Sequence, residues 1–359
     1  MPGQLYEFAE NHDSSVGRSP AVRRPVPHSV DRTPMTRKMA SISLLALAFS
    51  LAGVVPAEAS NDSSDRADKP SNGSIAFGRW DPTIGDLSLW VASADGSDQR
   101  RLTDGPANFS DWSPDGTRIA FDYADETGVH IATIAADGGD RRALTAAPGI
   151  QEAPKWSPDG ESIVYNGFPF GEDPFTISIW VMNADGSQPR QLTDGALDVE
   201  PVFSPDGTQI AFGRIVGDSP TGQLEAIYVI NADGTGLREV VAARPALEHP
   251  DWSPDGHSIT FNIGPEHPDA PGSGAILSVR TNGHGLRVLH HPTDQLRFFK
   301  AVWSPDGRQM LAGCYDTEAG IDRICTIPTS GKARVIVAGD ERVNFPSWGP
   351  QTSTDDEVG

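Results

Sequence analysis

Seven polar residues recur at matched places in this sequence and could form a ligand site. They stand three or four positions before the aromatic residue that heads a repeated motif: Asn108, Glu152, Glu200, Glu248, His249, Lys300 and Asn344. A ring of carboxylates with one cation suits a metal ion or a basic side chain from a partner. The same residues also fit a solvated ring of loop residues that avoids burying charge, and the sequence leaves both interpretations open.

Four histidines are predicted to fall in one sector of the same surface, where they suggest metal chemistry. They are His249, His267, His290 and His291. With Glu248 and Glu266 in the same sector, they could form the mixed imidazole and carboxylate site that binds a divalent transition metal. Their spacing matches no sequence-local metal motif, so scattered surface histidines are the alternative interpretation.

An internal repeat supplies the elements that position these residues. The segment Trp112-Ser-Pro-Asp-Gly116 recurs at intervals of 44 to 51 residues, and a degenerate copy stands at Trp348. The intact copies begin at Trp112, Trp156, Phe203, Trp252 and Trp303. In each copy Pro, Asp and Gly favour a tight turn. The motif is therefore a turn signature, and the aromatic residue at its head is expected in the core.

Strand patterns follow each motif. An alternating apolar strand such as 119–121 comes first, then a variable loop, a third strand such as 179–182, an Asp-Gly turn and a short fourth strand. Residues 73–103 lack a first strand, and residues 345–348 form a first strand with nothing after it. The sequence therefore predicts an all-β, six-bladed β-propeller of four-stranded antiparallel blades over residues 73–350, closed by pairing of the C-terminal strand with the N-terminal blade.

The repeat resembles the WD40-like repeat (PD40) of the TolB propeller family. The resemblance rests on Trp-Ser-Pro-Asp-Gly, the following Ile-Ala-Phe strand, the Asp-Gly turn and the Leu-Thr ending, and it covers residues 73–350. It implies a periplasmic protein joined to envelope and lipoprotein partners. That family carries an α/β domain ahead of its propeller. Here only the polar stretch 60–72 precedes the first blade, so we expect a TolB-like propeller without that domain.

The start of the chain predicts export. Met35 to Lys38 form a short basic region, residues 42–55 an uncharged apolar run, and Ala57 to Ala59 a small-residue cleavage pattern. We interpret 35–59 as a signal peptide, 1–34 as a misassigned start or disordered segment, 60–72 as a disordered linker and 351–359 as an acidic disordered tail. No segment is long and apolar enough to span a membrane. We expect a monomer that is periplasmic or secreted.

Charge and cysteine content narrow the function further. The formal net charge of −21 disfavours nucleic acid and favours cations or basic partners, although it also serves solubility. The two cysteines, Cys314 and Cys325, lie in neighbouring predicted strands, and an exported protein meets an oxidising compartment. A disulfide and two free thiols both remain open, because cysteines directly opposite each other in a ladder often have strained geometry.

The sequence supports two functional hypotheses. The first is a non-catalytic module that binds an envelope or extracellular protein or peptide at the face with variable loops, since no nucleophile elbow, phosphate loop or paired-cysteine zinc motif is present. The second is a metal-dependent lyase or lactone hydrolase acting on carbohydrate acids, because some polysaccharide-lyase propellers also resemble TolB repeats and carry metal-binding histidines. In that hypothesis a divalent cation is held by His249, His290 and His291, with Glu248 as base and Lys300 stabilising negative charge.

Overall fold

Short β-strands joined by tight turns make up the described part of the chain. The structure is a computed structural model, and it describes residues 72–169, 176–194, 197–220, 222–265, 272–339 and 341–350. The predicted signal peptide, the acidic tail and all but the last residue of the predicted linker lie outside these ranges. Within the described ranges no helix is long and apolar enough to cross a membrane.

The strands follow the repeat along the chain. The first eight are β1 (Ile75–Asp81), β2 (Asp86–Ala92), β3 (Arg100–Arg101), β4 (Asn108–Trp112), β5 (Arg118–Asp125), β6 (Gly128–Ala135), β7 (Arg142–Ala143) and β8 (Gly149–Trp156). The next eight are β9 (Ser162–Pro169), β10 (Ser178–Asn183), β11 (Arg190–Gln191), β12 (Leu197–Phe203), β13 (Gln209–Ser219), β14 (Gly222–Asn231), β15 (Arg238–Pro245) and β16 (Leu247–Trp252). The last eight are β17 (Ser258–Ile263), β18 (Ile276–Arg280), β19 (Arg287–His290), β20 (Leu296–Trp303), β21 (Gln309–Asp316), β22 (Ile321–Pro328), β23 (Arg334–Val337) and β24 (Val343–Trp348).

These strands form five hydrogen-bonded sheets. Sheet A has the order β24-β1-β2-β3, so the C-terminal strand pairs antiparallel with β1. Sheet B contains β4 to β11, sheet C β12 to β15, sheet D β16 to β19, and sheet E β20 to β23. The all-β propeller class predicted from the sequence is confirmed.

The predicted count of six separate four-stranded antiparallel blades is wrong. Four sheets have that form, whereas sheet B has eight strands, because β6 and β8 pair in parallel through Gly128–Gly149 and Val129–Ile150. The physical reason is a pair of glycines with φ of 145° and 144°. A Cβ at Gly128 would lie 1.8 Å from the carbonyl oxygen of Gly149, so only glycine permits this approach.

The repeated motif builds the same turn in each of its five intact copies. In the fourth copy the Ser253 hydroxyl donates to Asp255 Oδ1 at 2.6 Å, and the His257 N–H donates to the same oxygen at 2.9 Å. Gly256 closes the turn with a φ of 69°. The matching Ser-to-Asp bonds in the other copies measure 2.5 to 2.7 Å. The motif is thus a local turn that leads from its own strand into the antiparallel strand that follows it.

The core lies between neighbouring sheets. Trp252, 5% exposed, packs in one cluster with Ala211 and Ile227 of sheet C and Phe261 of its own sheet. Trp112, Phe203 and Trp348 are buried in equivalent clusters, whereas Trp156 and Trp303 are half-buried. The head of each motif therefore packs against the preceding repeat, which for Trp156 belongs to the same sheet B and for the others to a neighbouring sheet.

Arginines that begin the fourth strands add a second link between sheets. Arg100 donates to the carbonyl oxygens of Ala136 and Asp137, both at 2.8 Å. Arg190 makes the same pair of bonds to the turn after β14, and Arg238 donates to the Thr281 carbonyl at 2.7 Å. Each arginine thus ties its fourth strand to the turn that follows the third strand of the next repeat.

Candidate functional site

One residue near the middle of each motif-bearing strand has a left-handed backbone. Their φ angles lie between 24° and 57°, and each stands three positions before the aromatic head of its motif: Phe109, Ala153, Glu200, His249, Lys300 and Phe345. The strand register shifts beside each of them, as in a β-bulge. A bulge redirects a side chain away from the alternation of its strand. The chain therefore turns six matched side chains out of the regular pleat.

These six residues line one open cavity, which we call the mouth cavity. Its volume is about 540 Å³, including solvent at its opening. Proline or alanine from the next position of several strands completes the wall at Pro201, Pro250, Ala301 and Pro346. The side chains differ although the backbone repeats. Phe345, Phe109 and Ala153 come from consecutive motif-bearing strands, as do Glu200, His249 and Lys300, so the cavity has an apolar half and a charged half.

Three of the seven predicted ring residues line this cavity, namely Glu200, His249 and Lys300. The other four stand one position earlier, and each is paired with a residue of the adjacent antiparallel strand: Asn108 with Asp122, Glu152 with Asn166, Glu248 with Asn262 and Asn344 with Gly78. The structure therefore separates two sets that the sequence treated as one ring. Sequence reasoning missed Phe109, Ala153 and Phe345, because it considered only polar residues at these positions.

An ion cluster occupies the charged half. His249 Nδ1 lies 2.6 Å from Glu200 Oε1, and His249 Nε2 lies 3.1 Å from Glu248 Oε2. The backbone N–H of His249 also donates to Glu200 Oε2 at 2.7 Å. Ionised carboxylates only accept hydrogen bonds, so both ring nitrogens of His249 must donate, which makes the ring an imidazolium.

The electrostatics agree with that protonation state. Burial, the largest single effect, would lower the pKa of His249, but the charge of Glu200 and the hydrogen bonds to Glu200 and Glu248 together outweigh it and raise the pKa. Burial is also the largest single effect on Glu200 and opposes its ionisation, but the charges of His249 and Lys300 and the hydrogen bonds from His249 together outweigh it and lower the pKa of Glu200. The two residues therefore form a charged pair near neutral pH.

A further carboxyl group, Glu225 of β14, lies behind this pair. It is 5% exposed, and its Oε1 has no hydrogen-bond partner among the described residues. Burial, with the nearby charges of Glu200 and Glu248, raises the pKa of Glu225 well above its usual value. Its side chain fills the space over Gly213, where a Cβ would lie 1.9 Å from Glu225 Oε1. This glycine is no specific signal for Glu225, because Gly78 and Gly313 stand at the matching place in sheets A and E, whereas sheets B and D carry Asp122, Asn166 and Asn262 there.

Those three polar residues link neighbouring repeats through backbone N–H groups. Asp122 Oδ2 accepts from Ala153 at 3.3 Å, Asn166 Oδ1 from Glu200 at 3.2 Å, and Asn262 Oδ1 from Ala301 at 3.1 Å. Burial, followed by the charge of Glu152, raises the pKa of Asp122 well above its usual value. Burial also raises the pKa of Glu152, although the Asn166 amide donates to it at 3.1 Å. Asp122 and Glu152 therefore make hydrogen bonds within the wall of the mouth cavity and do not line its interior.

Two phenylalanine rings and a lysine form the boundary between the halves. The ring centroids of Phe109 and Phe345 are 4.0 Å apart. Lys300 Nζ lies 3.0 Å from the Phe345 centroid and 4.9 Å from that of Phe109, which is cation–π geometry. The lysine thus places a positive charge next to the apolar half.

A second cavity lies further along the same strands, towards the motif turns. At its wall Lys155 Nζ is 3.1 Å from Asp111 Oδ1, and Asp111 Oδ2 accepts the N–H of Trp156 at 2.9 Å. Asp251 accepts the N–H of Trp303 in the same way at 2.8 Å. Burial raises the pKa of Asp251 to about 6. Two matched aspartates therefore hold neighbouring strands together in different electrostatic surroundings.

The predicted metal histidines are distributed differently. His249 belongs to the ion cluster, whereas His290 lies in β19 opposite Ile276 and His291 is exposed just beyond that strand. Burial lowers the pKa of His290. His267 and Glu266 fall outside the residues that the structure describes. Within the described ranges, no three His, Cys, Asp or Glu side chains are grouped so that they could hold a metal ion.

The two cysteines form a disulfide. Cys314 of β21 and Cys325 of β22 are both fully buried, with their Cα atoms 6.0 Å apart. They are not directly opposite, because Cys325 pairs with Ala312 and Cys314 with Arg323. The bond therefore crosses the hairpin diagonally.

The all-β propeller fold, with six matched strand positions around one cavity, places this chain among the β-propeller proteins. Comparison with known families identifies the family. The family described as TolB beta propeller domain matches residues 81–352, so this chain belongs to that family. The resemblance found in the repeats is confirmed.

Individual relatives agree with that assignment. An uncharacterized protein of Agrobacterium fabrum is 26% identical over 50% of this chain and 62% of its own length. The Protein TolB homolog of Chlorobium luteolum is 36% identical over 28% of this chain and 22% of its own length. The chain thus spans less than two thirds of each of these curated relatives. The crystal structure of TolB from Acinetobacter baumannii superposes with a TM-score of 0.63 at 21% identity, over 78% of this chain and 67% of that one.

Proposed function

We propose that this chain is a non-catalytic protein- or peptide-binding module of the cell envelope or secreted space, and that the mouth cavity is its binding site. The observation that supports this most is the contrast within the motif-bearing strands. Six matched backbone positions open into one cavity with differing side chains, whereas the turns of the same strands repeat their residues. Variation confined to one surface of a repeat protein is typical of a binding face.

The chemistry of the cavity favours binding over catalysis. A general base needs a free lone pair within reach of substrate. Both ring nitrogens of His249 face carboxylates, and Glu200 accepts two bonds from that same histidine. These groups hold each other in place, as a preorganised recognition surface requires.

Envelope placement is supported by the relatives and by the chain itself. The similar proteins include a TolB homolog and a Tol-Pal system protein TolB from Anaeromyxobacter dehalogenans, of which the chain spans 22% and 29%. The basic and apolar segments before Ala59 have the pattern of an export signal. The Cys314–Cys325 disulfide fits an oxidising compartment.

Site-specific photo-cross-linking in the native host tests the proposal. A benzophenone amino acid replaces Phe345 in the mouth cavity, and in a matched control it replaces Thr208 in an exposed motif turn. We expect a discrete cross-linked protein partner from position 345 and none from position 208. Equal products from both positions, or none from position 345, would contradict the proposed site.

A processing experiment tests export. The full chain is produced in the native host, cells are fractionated, and the N-terminus of the isolated protein is sequenced. We expect a protein that starts at Ser60 in the envelope or medium. A chain retained in the cytoplasm with residues 35–59 intact would contradict the proposed location.

A further inference from the structure

The side chain of Lys300 reaches across the mouth cavity from its own strand to two others. Lys300 belongs to β20, whereas Phe345 and Phe109 belong to β24 and β4. Its Nζ lies 3.0 Å from the Phe345 centroid and 4.9 Å from that of Phe109. The face of an aromatic ring is the negative pole of its quadrupole, so both rings attract a cation. The chain therefore holds an ammonium group of its own in the cavity.

The charged half of the cavity gains its charge balance from that ammonium group. His249 is an imidazolium between the carboxylates of Glu200 and Glu248, so one positive charge there faces two negative charges. Lys300 opposes the charge of His249 but favours the ionised forms of Glu200 and Glu152, which burial disfavours. Lys300 thus supplies the second positive charge. Its removal leaves one buried negative charge in excess, which is costly in an apolar environment.

The other lysine in the lining is engaged elsewhere. Lys155 Nζ lies 3.1 Å from Asp111 Oδ1, and both residues also line the second cavity. Among the described residues, Lys300 is the lysine of the mouth cavity that lies over the phenylalanine rings. The rings and the carboxylates of the charged half therefore share one ammonium group.

We propose that the phenylalanine faces and the carboxylates of the charged half form a subsite for a primary ammonium group, which Lys300 fills from within and thereby completes the mouth cavity for its partner. The clause about the partner rests on the proposed function. Lys300 is a positioning residue, because it holds both rings and removes the excess charge. The partner then meets a preorganised surface. A small alkylammonium ion should take the same place once the stem and charge of Lys300 are removed.

Chemical rescue of purified Lys300→Ala tests the subsite without a partner. The atoms that this substitution removes match n-propylammonium. At a roughly tenfold excess over its Kd, n-propylammonium chloride should raise the Tm of the variant by about 2–4 °C more than potassium chloride does. The same concentration of 1-propanol, which has the shape without the charge, should give no such rise. Wild type and Lys332→Ala at an exposed position should respond alike to both salts, because their subsite is filled.

Capture of the partner identified by cross-linking at position 345 tests the positioning role. Lys300→Ala should capture it roughly tenfold less well, since a cation–π contact is lost, and n-propylammonium should restore capture. Lys300→Met fills the space of the stem without the charge. It should lose capture equally and should not respond to the ion, whereas a contribution of the stem alone would leave its capture normal.

An equal response of Lys300→Ala and wild type to n-propylammonium, or an equal effect of 1-propanol, would overturn the subsite. Normal capture by Lys300→Met, or bound ammonium without restored capture in Lys300→Ala, would overturn the positioning role. If Lys300→Ala does not fold, its refolding from urea is compared in the two salts, and no better recovery in n-propylammonium would also overturn the subsite. A rescued Tm combined with no partner captured by wild type contradicts the proposed function and leaves the subsite standing.

Discussion

The two ends of the motif-bearing strands differ in what repeats: both the backbone and the side chains at the turn end, but the backbone alone at the mouth end. At the turn end, Ser, Asp and Gly recur with the same hydrogen bonds in five copies. At the mouth end, the backbone repeats just as closely, with six left-handed residues, but its side chains range from alanine to phenylalanine and lysine. The turn end contacts its own strand and the neighbouring sheet, so its residues are constrained by folding. The mouth end faces a cavity, where side chains are free to differ.

Replacing aromatic residues at the two ends should give the largest contrast in stability. Trp252 is 5% exposed and packs between sheets C and D, so Trp252→Ala should lower the free energy of unfolding by about 3–5 kcal/mol. Phe345 is half-buried at the cavity, and Phe345→Ala should cost less than about 2 kcal/mol. Urea unfolding of both variants measures the difference. Equal losses would mean that the mouth is as much part of the core as the motif is.

Two matched aspartates between these ends should differ in their response to pH. Asp251 has a raised pKa of about 6, so its stabilising contribution is full below its unfolded value of 3.8 and is lost as pH rises through 6. Asp251→Asn keeps an acceptor for Trp303 N–H but cannot ionise. Relative to wild type, its stability should improve by roughly 2–3 kcal/mol between pH 4 and pH 7.

Asp111→Asn is the control for that experiment. Asp111 occupies the same place but lies 3.1 Å from Lys155 Nζ, so its charge has a partner. The Asn substitution should bring no gain in stability at neutral pH. Unfolding curves recorded across this pH range check both variants, and parallel curves for Asp251→Asn and wild type would contradict the assigned ionisation.

The smallest expected effect concerns the left-handed backbone itself. Ala153 has a φ of 53°, which costs an L-residue about 1 kcal/mol and costs glycine nothing. Ala153→Gly should therefore leave stability unchanged or raise it by up to about 1 kcal/mol. Ala120→Gly, in a regular strand, should lower it by a similar amount. Thermal unfolding distinguishes the two, and destabilisation of both would show that the mouth conformation carries no strain.

Much of the fold could be predicted from the repeats, because turn residues and alternating apolar strands act locally. The family assignment follows from the same residues. The number of separate sheets could not be predicted in this way. It depends on Gly128 of β6 and Gly149 of β8, which lie outside the repeated motif. Their backbones can approach each other only because neither residue has a side chain.

The candidate site was only partly predictable. The positions three residues before the aromatic head of each motif include Glu200, His249 and Lys300, so the sequence located these three residues. A β-bulge at each of these positions breaks the alternation of the strand, so the sequence could not tell which of two neighbouring residues faces the cavity. Glu225 was hidden because it comes from the third strand and reaches the cluster over Gly213. Its role depends on packing across a sheet, for which strand patterns carry no signal.

A paired mutational scan tests most directly the claim that folding and binding occupy different ends of the same strands. The six left-handed mouth positions and the five turn aspartates are each replaced by alanine, with Ala153 changed to Lys. Every variant is scored for soluble protein and for capture of the partner cross-linked at position 345. We expect turn variants to lose both together, and mouth variants outside the Glu200–His249 pair to lose capture at near-normal abundance. Mouth variants whose capture falls only in proportion to their abundance would contradict the account.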